Sequence, residues 1–499
     1  MDIKEVLEDI DFGDSIAEQE VDKLKLYFVT THEWNEVFGG DDDIVYGPKG
    51  SGKSAIYSLL QEESDALLKR SITFIPAENP RGTLAFKELE SDPPSPEQTF
   101  IRLWKLYLLC LIGEAIKKEK TSNEHARLVV HSLEASGFLQ KRSSLSEILA
   151  QAFRYVKSWI KWQDIELGAE LDPATSMPTG IKGKITFATP LPEQKEAGIL
   201  SVDNLLDEAD AALKEVDRKI WLGIDRLDVS FAENPTLEAN ALRSLFRTYL
   251  DLQKLSNISL KIFLRTDIWD RIIQEGFREA SHITRTIRIN WNDDLLLNLI
   301  LRRALQSKKL CEIYSVDRER TLSDISEQKK LFYRIFPSQV VPGKRRPATL
   351  DWMISRVKDG RGYAAPRELI QLLKYTREAQ IKELEIGAEP PPNGALFSPG
   401  ALKAGLKPVS EQRLNQTLYA EYPTLKPFIE QLYGEKAEQT PDTLSEIWNK
   451  PKTESLEIAD KLHQIGFFER RGSKDTPTFW VPFLYRDALR LVQGKAENE

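Results

Sequence analysis

Gly47-Pro48-Lys49-Gly50-Ser51-Gly52-Lys53-Ser54 matches the phosphate-loop spacing G-x-x-x-x-G-K-[ST] at every fixed position. Glycines let a backbone wrap tightly, so that several N–H groups aim at one anion. A helix starting where the loop ends adds the partial positive charge of its N-terminus. In such a loop, residues Gly47 to Ser54 and the following Ala55 cradle the phosphates of ATP. Lys53 reaches the β- and γ-phosphates, and Ser54 holds Mg²⁺. A glycine turn that happens to carry a lysine is the plain alternative. The flanking residues speak against it: Ile44-Val45-Tyr46 reads as a short buried strand and Ala55 to Leu60 as a helix.

Hydrolysis needs more than this loop. Magnesium wants a carboxylate at the end of a buried strand. Ile220-Trp221-Leu222-Gly223-Ile224-Asp225 is an apolar strand closing on an acid, and Asp225 is assigned to the Mg²⁺ shell through a coordinated water. A strand that merely ends in an acidic turn is the other reading. Asp228 is the candidate catalytic base, since a carboxylate three residues on can orient water if the strand end curls back. Leu260-Lys261-Ile262-Phe263-Leu264-Arg265-Thr266-Asp267 is a second apolar strand with a polar end. Lying between the other two, it would bring Arg265 or Thr266 to the γ-phosphate or the attacking water. In Gly360-Arg361-Gly362-Tyr363-Ala364-Ala365-Pro366-Arg367-Glu368-Leu369, proline opens a helix at no hydrogen-bond cost. Arg367 in its first turn is placed to fold over the nucleotide; a solvated helix-start arginine is the alternative.

The elements that must hold these groups are legible in outline. The chain has 499 residues, too many for one core. Its apolar fraction of 41% and charged fraction of 29% describe a globular protein. A net charge of −8, with signs interspersed, argues against bulk coating of nucleic acid but leaves a local basic patch open. Two cysteines, Cys110 and Cys311, imply no disulfide framework, and the acidic N-terminus lacks an apolar signal region, so a cytoplasmic location is expected. Phe100 to Gly113 is apolar, but Arg102 and Lys105 interrupt it well short of the ~20 residues that span a bilayer, and no membrane contact is expected.

Residues 1–40 form an N-terminal lead-in, with helical periodicity over Ala17–Tyr27. Residues 41–291 form an α/β core with a helical segment over 97–163. A β-hairpin insertion is expected over 164–190, from two alternating stretches around a Pro/Ser/Thr turn. Helix and strand then alternate: helices over Val202–Val216, Leu237–Leu255 and Asp267–Glu275, strands over Lys219–Ile224, Ser259–Leu264 and Ile283–Trp291. That alternation implies βαβ units and a parallel sheet. Residues 292–388 read as helical. Glu389-Pro-Pro-Pro-Asn-Gly394 reads as a linker, and 395–499 as a separate small unit.

Together these motifs resemble the AAA+/STAND side of the P-loop ATPases, near a bacterial family close to the KAP-type and origin-recognition-type enzymes. The matching residues are the loop at 47–54, Gly223-Ile-Asp-Arg-Leu-Asp228, Phe263-Leu-Arg-Thr-Asp-Ile-Trp269, Ile289-Asn-Trp291 before a helix ending in Leu301-Arg302-Arg303, and Ala365-Pro-Arg-Glu-Leu369. The resemblance covers most of 20–490. It implies an ASCE-type parallel sheet in the order 5-1-4-3-2, a helical lid and a C-terminal winged helix. It implies a Walker B role for Asp225, sensor roles for Arg265 or Thr266 and for Arg367, and a catalytic role for Asp228. Such relatives often act in bacterial anti-phage defence. Two departures stand out. Arg226 occupies the position where an acid usually polarises water, and the membrane helices of KAP-type relatives are missing.

In the last hundred residues, two helices, a strand, a basic turn and a second strand follow the winged-helix order. Arg470, Arg471 and Lys474 could touch nucleic-acid phosphates, although Glu457 and Asp460 lie on the recognition-like helix. Docking onto the ATPase core or a protein partner is the favoured reading. Lys344-Arg345-Arg346 is a solvated loop before it is a nucleic-acid patch. Arg278, Arg285, Arg302 and Arg303 are candidates for a finger acting on a neighbouring subunit's nucleotide. Tyr27, Phe28 and Trp34 could stack on adenine, or pack in the core. The five histidines show no zinc spacing. The expectation is an ATP- and Mg²⁺-dependent switch ATPase that controls homo-oligomerisation or engagement of an effector. A non-hydrolysing, nucleotide-gated scaffold or DNA-binding module is the alternative.

Overall fold

A computed structural model of the chain describes residues 2–14, 20–77, 96–139, 144–163, 184–225, 235–473 and 476–495. The chain divides into two compact units. One comprises His32–Gly47 and Ile56–Arg288; the other comprises Met1–Thr31, Pro48–Ala55 and Ile289–Glu499.

The first unit is built on five strands: β1 (Ile44–Gly47), β2 (Ile72–Pro76), β3 (Lys219–Ile224), β4 (Ile258–Arg265) and β5 (Thr286–Arg288). They form one parallel sheet in the order β2-β3-β4-β1-β5. β1 and the last five residues of β3 are continuous apolar runs because both faces of a parallel sheet are covered, whereas β4 carries Lys261 within its run. All of β1 is buried, as are the last five residues of β3. Since the strands run the same way, Gly47, Ile224 and Arg265 end at one edge, and Gly47 pairs in register with Arg265. The opposite edge is pinned by a buried charge pair. Lys261, 1% exposed, donates to Asp43 at 2.8 Å and to the Asp42 carbonyl at 2.7 Å. Its ammonium also sits over the Trp221 ring, 4.3 Å from the centroid.

Helices cover the sheet. In the helix Glu97–Lys118 the apolar stretch singled out as a membrane check is buried, and Trp104 donates its indole N–H to the Ala241 carbonyl at 3.0 Å on the helix Pro235–Leu252. No described helix is long and apolar enough to cross a membrane.

Two sequence expectations change, and a third falls mostly outside the described residues. The strand expected over 283–291 shrinks to Thr286–Arg288, preceded by a 3₁₀ turn at Arg278–His282. The helix expected over 17–27 is seen as Val21–Tyr27, and residues 15–19 lie outside the described residues. Of the hairpin expected over 164–190, residues 164–183 lie outside them too. Ile185–Thr186, in the second expected arm, pairs in parallel with Leu200–Ser201.

In the second unit one apolar core runs through both 292–388 and 395–499. Phe397, directly after the proline-rich segment, stacks on Phe336 with ring centroids 4.8 Å apart. The N-terminal residues belong to this unit. Asp9 accepts from Ser307 at 2.6 Å, Arg377 donates to the Leu7 carbonyl at 2.6 Å, and Arg303 pairs with Glu20 at 3.0 Å. The C-terminal part holds a four-stranded sheet of β6 (Lys436–Gln439), β7 (Glu469–Gly472), β8 (Pro477–Trp480) and β9 (Val492–Lys495), in the order β9-β6-β8-β7. Helices Pro441–Trp448 and Lys452–Gln464 lie between β6 and β7, and Phe483–Leu489 follows β8.

Candidate nucleotide site

The loop that joins β1 to the helix Lys53–Glu62 has the backbone its glycines permit. Gly50 has φ +81° and Gly52 φ +101°, left-handed values that a side chain would strain. Lys53, the first helical residue, is buried, and its ammonium donates to the Pro48 carbonyl at 3.0 Å. The lysine is thus folded back across its own loop. Ser51 is buried as well, its N–H donating to the Pro48 carbonyl at 3.2 Å. Among the described residues its hydroxyl has no hydrogen-bond partner. Ser54 and Ala55 are half-buried in the first helical turn.

Three groups from later in the chain meet this loop. The indole N–H of Trp291 donates to the Ser51 carbonyl at 2.8 Å. The main-chain N–H of Arg367 points at the Gly50 carbonyl, 3.4 Å away. Arg367 stands second in the helix Pro366–Glu385, whose first-turn N–H groups have no partner within the helix. A Cβ on Gly50 would come within 2.9 Å of the Arg367 Cβ, so this position has no room for a side chain. The side chain of Lys49 pairs with Glu421. An open cavity of about 170 Å³ adjoins the loop, lined by Pro48, Ser51, Asn290, Trp291, Tyr363 and Ala365 among others. The residue after Arg367 is also engaged. Glu368, 3% exposed, accepts from Arg413 at 2.8 Å, while its other carboxylate oxygen has no partner among the described residues. Burial works against the Arg413 charge, but Glu368 and Tyr485 hold its pKa above the ordinary arginine value. Burial also raises Asp359 and pushes the Tyr485 phenol up to about 12.

The sheet edge carries the other assigned groups. Asp225, 3% exposed, follows β3 directly. Beneath it, a Cβ on Gly223 would strike Phe74 at 2.3 Å and Tyr57 at 2.9 Å, so glycine here lets the helix Lys53–Glu62 close onto β3. Tyr57 packs edge-on against Phe74 and Phe263, at centroid distances of 5.7 and 5.5 Å. Arg265, at the end of β4, grips Asp267 through two hydrogen bonds of 3.0 and 2.8 Å. Thr266 is 2% exposed, and its hydroxyl has no partner among the described residues. Arg226, Asp228 and Lys474 lie outside the described residues.

Several weaker candidates have structural occupations. Arg303 pairs with Glu20 and lies over the Tyr27 ring, and Arg285 pairs with Asp43 at 3.1 Å. Arg302 donates to Asn298 at 3.3 Å, whereas Arg278 is exposed. Tyr27 also donates to Asp11 at 3.4 Å, and Trp34 stacks on Phe38 at 5.0 Å. Phe28 is half-buried. Arg470 pairs with Asp460 at 3.0 Å and Arg471 with Glu469 at 2.7 Å, so both basic groups near the C-terminal turn are partly neutralised. Lys344, Arg345 and Arg346 are exposed in a loop. No His/Cys/Asp/Glu group among the described residues is arranged to hold a metal by itself.

Sequence reading quoted Trp291, Tyr363 and Glu368 within longer segments without giving them a role at the loop, and did not single out Glu421. Trp291 was taken for the end of a strand, and its approach to Ser51 follows from β5 stopping at Arg288.

A comparison with protein-family models finds no match, and neither does a comparison with curated proteins. Solved structures of similar shape include the Aeropyrum pernix ORC2 protein with ADPNP and ADP, at 14% identity over 95% of this chain and 90% of that one, with a TM-score of 0.43. A Walker-type ATPase of Pyrococcus abyssi is similar at 11% identity, 93% and 100% coverage and a TM-score of 0.37. The Aeropyrum pernix ORC1 protein in complex with DNA is similar at 10% identity, 92% coverage of each chain and a TM-score of 0.35.

Proposed function

We propose that the chain binds ATP with Mg²⁺ through residues 47–55 and hydrolyses it slowly, using the nucleotide as a switch. One observation carries this reading. The loop after the buried parallel strand β1 turns on two left-handed glycines and ends in a buried lysine and a serine at a helix start. Such a loop points backbone N–H groups at an anion, and the sheet edge where β1 ends is where open α/β sheets bind ligands. The buried hydroxyl of Ser51, without a hydrogen-bond partner among the described residues, fits a loop that expects a polar occupant.

In this proposal Lys53 leaves the Pro48 carbonyl to pair with the β- and γ-phosphates, and Arg367 covers them from the helical segment 292–388. The Ser54 hydroxyl and the Asp225 carboxylate, the latter through water, are the hard oxygen donors that suit magnesium. The ion would supply charge neutralisation at the phosphates. Asp228 takes the proton of the attacking water, and Arg265 or Thr266 steadies the terminal phosphate. The cavity beside Trp291 and Tyr363 receives the base and ribose. Arg265 must first give up its two bonds to Asp267, which supports slow turnover. The helical segment acts as a lid, and residues 395–499 act as a winged helix that docks on the chain or a partner. Nucleotide occupancy would thereby control self-assembly or effector engagement.

The absence of an acid at position 226 and the engagement of Arg265 favour a second reading, a nucleotide-gated scaffold that does not hydrolyse. Calorimetry with Mg·ATP and steady-state phosphate release test both. Binding that is lost in Lys53→Ala supports the site. Phosphate release in wild type no faster than in Lys53→Ala rejects the enzyme and leaves the scaffold.

A further inference from the structure

The helix that starts at Pro399 does not stop at Arg413. It passes through a π-helical turn at Leu414–Leu418 and closes with Tyr419–Glu421. Arg413 and Glu421 are eight residues apart, about 80° of rotation on a regular α-helix. A π turn takes up one extra residue, about 100°, and so returns the two side chains to nearly the same face. From that face Arg413 holds Glu368, beside the Arg367 N–H that meets Gly50, and Glu421 holds Lys49. One helix therefore touches the glycine loop twice, once directly and once through the start of the neighbouring helix. π turns are uncommon and recur at functional positions.

The Lys49–Glu421 pair has an electrostatic consequence. Lys49 is a loop cation, and both side chains are largely covered, at 29% and 20% exposure. Pairing cancels that cation and brings a carboxylate to the rim of a loop built to hold phosphates. A polyanion arriving there meets this negative charge and competes for Lys49. We infer that Glu421 is an affinity-determining residue that restrains the loop: Mg·ATP must draw Lys49 away from Glu421, and the segment Leu414–Glu421 loosens when it does. The signal has a route onward. Ser410 accepts from the Ala488 N–H at 3.1 Å, so the same helix is joined to Phe483–Leu489 beside the four-stranded sheet.

This inference rests on the nucleotide reading above, and the test keeps the two apart. Mg·ATP affinity is measured by calorimetry for the full chain, for Glu421→Gln and for Glu430→Gln. Glu430 is an exposed acid on the following short helix and lies beside Lys426 rather than the loop. Glu421→Gln is expected to bind roughly five- to tenfold more tightly, the scale of one removed charge at a partly screened site, and Glu430→Gln as wild type does. Hydrogen exchange over 414–421 is expected to speed up when wild type binds nucleotide, and to be fast in Glu421→Gln without it. Binding by Glu421→Gln alone supports the restraint in its strongest form. Wild-type binding with an unchanged constant in Glu421→Gln and unchanged exchange overturns the restraint only. Absence of binding in every variant overturns both readings.

Discussion

The indole N–H of Trp291 donates to the carbonyl of Ser51 at 2.8 Å, joining the residue just past the last strand of the sheet to the middle of the glycine loop. A carbonyl held this way stays turned from the anion side, which leaves N–H groups to face a phosphate. Trp291→Phe keeps the ring and removes the donor. Losing one such bond costs about 1–1.5 kcal/mol, so Mg·ATP binding is expected to weaken by roughly tenfold. Calorimetry checks this, and an unchanged constant would show that the bond has no part in shaping the loop.

Gly50→Ala places a Cβ 2.9 Å from the Arg367 Cβ on a backbone with φ +81°. Left-handed strain alone costs about 1–2 kcal/mol, and the start of the helix Pro366–Glu385 must also move. Nucleotide binding is expected to fall below detection while the thermal midpoint drops by only a few degrees, on the scale of about 1–2 kcal/mol. Tight binding by the alanine variant would mean that this approach yields easily.

Asp228→Asn retains the size of the side chain and removes its basicity. It is expected to bind Mg·ATP within about threefold of wild type, well under 1 kcal/mol, and to release no phosphate. Turnover at the wild-type rate would move the general base to another residue.

Glu368 and Arg413 are a buried pair, 3% and 9% exposed. Removing one partner strands the other, and Glu368→Ala is expected to cost about 3–5 kcal/mol in urea unfolding. The double variant Glu368→Leu/Arg413→Met leaves no stranded charge and is expected to recover most of that loss. Additive losses would show that the two side chains contribute separately.

His125 gains a proton partner on folding. Its hydrogen bond to Glu208, aided by the charges of Glu208 and Glu215, raises its pKa above 6.5. A raised value means that the folded state holds the proton more tightly than the unfolded chain does. The resulting stabilisation is complete below pH 6.5 and fades as the pH climbs past the folded value. The difference in thermal midpoint between wild type and His125→Gln should shrink as the pH rises from below 6.5 through the raised folded value. A constant difference would remove the titration argument.

What could be read without coordinates was local. The loop at 47–54 was legible because it is a contiguous run whose glycines take the left-handed backbone their spacing allows. Strand β3 was legible because strands covered on both faces need unbroken apolar runs, and Ile220–Ile224 is one; β4 was legible from Ile262–Leu264 despite Lys261. The short β5 was overread: Ile283 to Trp291 is rich in the β-branched residues that favour strands, yet only Thr286–Arg288 pairs with β1. Ile185–Thr186 reads as a strand by alternation, and that alternation does not name Leu200–Ser201, with which it pairs. Patterning reports which faces are covered and leaves the choice of partner open.

Alone, the residue order determined a glycine loop with G-x-x-x-x-G-K-[ST] spacing, acids at the ends of apolar strands, and a chain that alternates helix with strand before becoming helical. Tertiary structure decided what surrounds the loop. Trp291, Arg367 and Glu421 lie about 240, 320 and 370 positions from it in the chain, and meet it through one hydrogen bond, one main-chain contact and one ion pair. Such contacts depend on how whole helices pack, including a π turn that resets the face Glu421 presents. No spacing rule spans those distances, because the energy that selects them is spread over the shared core rather than written in neighbouring residues.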